Sequence, residues 1–137
     1  MTGGVTRIDA DPGSFIPTSA YDPGLAVDPE LLISGTPNDR GALLFTSGDA
    51  KVACGLWACD VYSERVPSYP VDELYVVIEG TLVVTVEGQQ QERFNPGDAF
   101  VIERGTACVL DFQSPFRKFW MTYDPQPPAG SPEPPTA

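Results

Sequence analysis

The sequence predicts an all-β protein, a sandwich or small barrel of short strands, and three observations carry that reading. Thirteen Gly and fifteen Pro interrupt 137 residues too often for long helices. Between residues 41 and 123, β-branched and aromatic runs recur at the spacing of roughly 8 to 12 residues that marks short-strand folds. Turn signals containing Gly, Pro, Asn or Asp separate those runs.

Residues 1–40 carry Asp11-Pro12-Gly13, Asp22-Pro23-Gly24, Asp28-Pro29 and Thr36-Pro37-Asn38. They predict an irregular arm, packed on a barrel or exchanged between two barrels. One helical turn is expected after Asp28, where Pro29 suits the first helical position. The barrel itself is expected over residues 41–123, without a helix. Its first strands are Ala42 to Thr46 and a longer run from Val52 to Tyr62 that contains Gly55. Leu74 to Ile78 and Thr81 to Val86 flank Glu79-Gly80, the pattern of a two-residue hairpin. Glu87-Gly88 makes the next turn, leading through Gln89 to Phe94, and Asn95-Pro96-Gly97-Asp98 turns the chain again, with the Asp98 side chain expected to bond backbone N–H groups. Ala99 to Glu103, Cys108 to Phe112 and Phe116 to Tyr123 complete the series. The tail, residues 124–137, reads DPQPPAGSPEPPTA; it has too little apolar surface to offset its ordering entropy, which predicts disorder.

Charge and composition exclude several function classes. Eight Lys and Arg against nineteen Asp and Glu give a formal charge of −11, a field that repels nucleic acid and anionic membranes. No apolar run approaches the roughly 20 residues of a membrane helix, and the opening MTGGVTRIDADPG lacks the apolar stretch of a signal peptide. With Cys54, Cys59 and Cys108 sparse and odd in number, a cytoplasmic setting is expected. There is no histidine, which removes any Ser-His-Asp or Cys-His arrangement and any two-His iron site.

The run Glu73-Leu-Tyr-Val-Val-Ile-Glu-Gly80 resembles the latter half of the first cupin motif, and Asn95-Pro-Gly97-Asp98 followed by Ala-Phe-Val-Ile-Glu-Arg-Gly105 resembles the second. Gly55-Leu-Trp57-Ala-Cys59 upstream and Arg117-Lys118-Phe-Trp120 downstream are similar to the ureidoglycine aminohydrolase type of small cupin domain. The resemblance spans about residues 50 to 123 and implies a cupin-like double-stranded β-helix, a jelly-roll barrel. It also implies a homodimer. The metal positions of the family pattern fall at Pro67, Tyr69, Glu73 and Cys108, of which only Glu73 is a good ligand, so no metal and no other cofactor is expected.

The resemblance points Glu73 into the barrel. Strand alternation puts Glu73, Tyr75 and Val77 on one face, where Glu73 is either a general acid or base or a structural carboxylate bonded to a neighbouring strand or to Tyr69. Lys118 shares parity with Trp120, and alternation leaves open which parity faces inward. Trp57 and Cys59 share a face, whereas Cys54 and Cys59 fall on opposite faces. Cys108 is either packing, a nucleophile or a soft-metal ligand. The resulting expectation is a barrel that binds a small organic molecule, with Glu73, Tyr69 and Lys118 as catalytic candidates and Trp57, Cys59, Tyr75, Phe100, Cys108 and Trp120 as ligand-binding candidates. The alternatives are a metal-independent acid/base enzyme using Glu73 (an isomerase, lyase or ureide or amide hydrolase) and a metal-binding barrel through Glu73 and Cys108.

Overall fold

The computed structural model describes residues 3–125, so most of the expected tail, residues 126–137, lies outside the described residues. Among the described residues, eleven strands form two antiparallel sheets around a shared core, a jelly-roll barrel. The first sheet runs β1 (Ile16–Pro17), β3 (Arg40–Thr46), β4 (Val52–Cys59), β11 (Phe116–Tyr123), β6 (Asp72–Glu79) and β9 (Ala99–Ile102) in spatial order. The second runs β2 (Leu32–Gly35), β5 (Tyr62–Val66), β10 (Cys108–Phe112), β7 (Leu82–Val86) and β8 (Glu92–Phe94). Among the described residues no helix is long and apolar enough to cross a membrane.

The expected strands are present, but two connections differ from the sequence reading. The runs flanking Glu79-Gly80 do not form a hairpin, because β6 pairs with β11 and β9 while β7 pairs with β10 and β8. Each strand has both edges filled, so none remains for the other. Gly80 instead carries the chain from one sheet to the other at φ +86°, packed so closely that a Cβ would collide with the Pro115 carbonyl oxygen. The single run expected from Val52 to Tyr62 is likewise two strands in different sheets. The break falls at Asp60-Val61, where the Asp60 N–H donates to the Pro37 carbonyl across 2.8 Å.

The other turns follow their residues. Glu87-Gly88 closes the β7–β8 hairpin, with the Gln89 N–H donating to the Val86 carbonyl at 2.9 Å. In Asn95-Pro96-Gly97-Asp98 the Asp98 N–H returns to the Asn95 carbonyl at 2.9 Å, and the Asp98 carboxylate accepts from the Asn95 N–H at 2.8 Å.

The arm is more ordered than its Pro content suggests. The helical turn expected after Asp28 is a 3₁₀ turn, Pro29–Leu31, capped by the Asp28 side chain, and the arm also supplies β1 to one sheet, β2 to the other and a short helix, α1 (Thr18–Tyr21). In the single chain its strands pair with β3 and β5. The Thr18 N–H donates to the Asp39 carbonyl at 3.1 Å, and further up the arm the Ala10 carbonyl accepts from Arg117.

Register then decides what shares the core. Across the first sheet, Trp57 lies opposite Lys118 and Lys118 opposite Val77; the next inward row is Gly55, Trp120, Tyr75 and Phe100. Gly55 leaves room for Trp120, whose ring edge would lie 3.0 Å from a Cβ placed there. Across the second sheet, Tyr62 and Leu82 flank Phe112, and Glu64 and Val84 flank Leu110.

The two glycine turns provide a test of this topology. Gly88 has φ +77° with nothing within 4 Å of a Cβ, so Gly88→Ala is expected to cost about 1 kcal/mol through backbone strain alone. Gly80→Ala adds the collision with Pro115 and is expected to cost about 3 kcal/mol. Chemical denaturation of both variants checks the difference, and equal costs would contradict the sheet-to-sheet crossing at Gly80.

Candidate functional site: a lysine–glutamate pair in an aromatic cavity

A cavity of about 280 Å³ opens between the two sheets and the arm. Its exposed rim includes Gly24, Asp28, Pro67 and Ser68, and its walls include Trp57, Tyr62, Phe112 and Trp120. Lys118 and Glu73 line it while 5% and 3% exposed respectively. Lys118 Nζ donates to Glu73 Oε2, forming an ion pair shielded from water.

Strand geometry explains how these two groups meet. Glu73 is on β6 and Lys118 on the adjacent β11, two inward rows apart, so the four-carbon lysine stem bridges the separation. It crosses aromatic surface, with Nζ 3.4 Å from the centroid of the Tyr75 ring and 4.8 Å from that of Trp57. Burial pulls the lysine pKa below its ordinary 10.5, and the Glu73 carboxylate pushes partly back.

The remaining carboxylate oxygen is also bonded. Tyr69 donates its hydroxyl to Glu73 Oε1 at 2.7 Å. That uses its single proton, so the 2.9 Å contact between the Tyr69 and Tyr75 hydroxyls has Tyr75 as donor. Burial first, and the nearby Glu73 charge second, raise both phenols well above their ordinary range, which keeps them protonated. Tyr69 sits in the loop before β6 and is clamped by the Gly105 turn. Its N–H donates to Thr106 O at 2.9 Å, and its carbonyl accepts from the Gly105 N–H at 2.8 Å.

Of the residues singled out from sequence, Glu73, Tyr69, Lys118, Trp57, Tyr75 and Trp120 are brought together around this cavity. Cys59, Phe100 and Cys108 do not line it. Cys59 is fully buried in the core, and Phe100 stacks between Tyr75 and Phe94 at 4.6 and 3.9 Å. Cys108 packs on β10, with its thiol pushed up to about 11 by burial. The three cysteines are free and buried.

Several lining groups escaped the sequence reading. Glu64 faces inward from β5 at 8% exposure and accepts the Tyr62 hydroxyl at 2.8 Å. The alternation Tyr62, Glu64, Val66 signals this face, but only once β5 is separated from β4. The arm contributes Thr18, whose hydroxyl accepts from the Trp57 indole N–H at 3.1 Å, together with Tyr21 and Asp22. These depend on where the arm docks, which has no periodic signature.

The donor set does not fit the metal that the cupin pattern implies. Pro67 has no side-chain donor, Cys108 does not line the cavity, and Tyr69 and Glu73 are already bonded to each other. The Lys118 ammonium lies directly against Glu73. Among the described residues no three His, Cys, Asp or Glu side chains are grouped to hold an ion. The positive charge at the centre of this barrel belongs to a lysine.

The family model described as the EutQ-like cupin domain matches residues 46–120, more than half of the 137 residues. A Pseudomonas syringae protein of unknown function is 28% identical with a TM-score of 0.66, over 70% of this chain and 41% of its own. This chain therefore spans well under two thirds of that protein's length. The Clostridium difficile EutQ protein is 20% identical with a TM-score of 0.56, over 75% of this chain and 83% of its own. A putative ethanolamine utilization protein Q from Salmonella typhimurium is 23% identical with a TM-score of 0.54, over 62% and 68%. These last two likenesses concern the fold alone. No curated protein matches the chain. The cupin resemblance is borne out, without singling out the ureidoglycine aminohydrolase type.

Glu64 yields a pH test. Burial raises its pKa above the ordinary 4.5, opposed by the Tyr62 hydrogen bond. The folded state therefore binds this proton more tightly than the unfolded chain. The stability it contributes is present at low pH and is lost as pH rises from about 4.5 through the raised folded value. Glu64→Gln keeps an acceptor for Tyr62 and removes the titration. The variant is expected to be about 1 kcal/mol more stable than wild type at pH 7, with the gain shrinking toward pH 4.5 in denaturation curves. A variant less stable than wild type at pH 7 would show that the carboxylate is fully compensated.

Proposed function

We propose that this chain, which belongs to the EutQ-like cupin-domain family, is a barrel that binds a small organic molecule in the cavity between its sheets and its arm. The observation that carries the reading is the combination of aromatic walls with the polar cluster of Lys118, Glu73 and Tyr69. Ligand sites typically pair apolar walls with a few convergent polar groups, and about 280 Å³ lies at the small end of such cavities. The size favours a metabolite over a polymer segment. Glu64 and Asp22 line the same space as Glu73, and Lys118 is already neutralised by Glu73, so the field disfavours a strongly anionic ligand.

Both tryptophans of the chain, Trp57 and Trp120, line this cavity, which makes indole fluorescence a local reporter. Titration with a broad library of small neutral and cationic metabolites is expected to find ligands that shift tryptophan emission and raise the melting temperature together. A library that moves neither quantity would overturn the reading.

We also propose a homodimer formed through the outer face of the first sheet. Phe45, Met121, Leu74 and Val101 share a register row across that face, in which Cys54 is already buried, with Phe45 42%, Met121 39% and Val101 59% exposed. An apolar row on a solvent face is what a second copy would cover. Light scattering is expected to give twice the 14.7 kDa chain mass, and Val101→Asp is expected to return it to the monomer value. A monomeric wild type would refute this assembly.

A further inference from the structure

Lys118 needs an account beyond ligand contact. Its charge is held by Glu73 and its stem by Trp57 and Tyr75, so it has no free positive charge to offer an anion. As a purely structural device the pair is poorly suited, because well-packed apolar residues of similar volume commonly stabilise a core as well or better. What the pair retains is an amine able to pass its proton to the adjacent carboxylate inside a water-poor cavity.

Resting on the binding reading above, we propose that the cavity captures small aldehydes or ketones as an imine on Lys118, with Glu73 moving the proton and Tyr69 orienting the carboxylate. The order of events follows from the contacts. The proton on Nζ passes to Glu73 Oε2, leaving a neutral amine beside a neutral carboxylic acid. The nitrogen lone pair forms a bond to the carbonyl carbon, and the C=O π pair moves to oxygen. A proton shifts from nitrogen to that oxygen, giving the carbinolamine. The Glu73 proton then goes to the hydroxyl, which leaves as water as the nitrogen pair forms C=N. The product is a protonated imine beside a regenerated carboxylate, so the pair begins and ends neutral overall, and no oxidant or reductant is consumed. Buried lysines beside acid/base groups are the residues suited to this chemistry.

Tyr69 is a positioning residue in this scheme. Its hydroxyl fixes Oε1, leaving Oε2 to face Lys118. The aromatic walls accommodate a short apolar substituent on the carbonyl carbon, and the facing Glu64 excludes substrates rich in negative charge.

The chain has two lysines, Lys118 and Lys51, so the test has an internal control. The full chain is incubated with propionaldehyde and sodium cyanoborohydride at neutral pH, and the products are located by peptide mass mapping. An N-propyl group is expected at Lys118, forming about tenfold faster than at Lys51. Modification of Lys51 and the amino terminus with Lys118 untouched would overturn the inference. Glu73→Gln, verified as folded by circular dichroism, is expected to slow trapping at Lys118 and leave Lys51 unchanged. An unaltered Lys118 rate in that variant overturns the role given to Glu73. If library members shift tryptophan emission while Lys118 resists trapping, binding stands and imine capture falls; if neither occurs, both fall.

Discussion

The ion pair between Lys118 and Glu73 is the constraint around which the barrel is arranged. Two charges removed from water cost several kcal/mol each, and their mutual attraction repays this only when the remaining polar atoms are satisfied. The structure meets that condition closely. Tyr69 covers the second carboxylate oxygen, Tyr75 supports Tyr69, and the faces of Tyr75 and Trp57 flank the ammonium. Removing one partner of such a pair leaves an uncompensated buried charge, a loss of about 3–5 kcal/mol in comparable cores.

Distant parts of the chain depend on this cluster. The Gly105 turn holds the backbone of Tyr69, joining the second glycine motif to the strand that begins near Glu73. The Trp57 ring that flanks Lys118 donates its indole N–H to Thr18, which draws the arm over the cavity. Within the arm, Asp39 accepts twice, from the Thr18 N–H through its carbonyl and from the Val27 N–H through its carboxylate. The arm thus forms a wall of the site. In this chain without histidine, a lysine supplies the positive charge beside Glu73.

The outer face of the same sheet has a different chemistry. Leu74 and Val76 alternate with Glu73, Tyr75 and Val77, so apart from Glu73 the middle of β6 presents large apolar or aromatic side chains on both faces. That is the composition of a strand covered on both sides, and it is also why the run beside Gly80 reads so readily as half of a hairpin. The pattern of apolar residues does not encode which neighbour covers which face.

The sequence by itself determined the all-β class, most strand positions, the turns at Gly88 and Gly97, and the shared face of Glu73, Tyr75 and Val77, because period-two alternation and turn chemistry are local properties; that this face points inward came from the cupin resemblance. The cupin motifs also identified Glu73 and Gly105 as fixed points. Local patterns could not determine strand partners. Tertiary structure alone decided that β6 and β7 belong to different sheets, that Asp60-Val61 divides one apparent strand into two, and that the Lys118 parity of β11 faces inward. It also left Cys59, Phe100 and Cys108 out of the cavity lining and brought Glu64, Thr18 and Tyr21 into it. Each of these outcomes depends on register between segments far apart in sequence, where a shift of one residue reverses every side chain. The chemistry of this barrel therefore lies in residues the sequence names and in a juxtaposition only the fold provides.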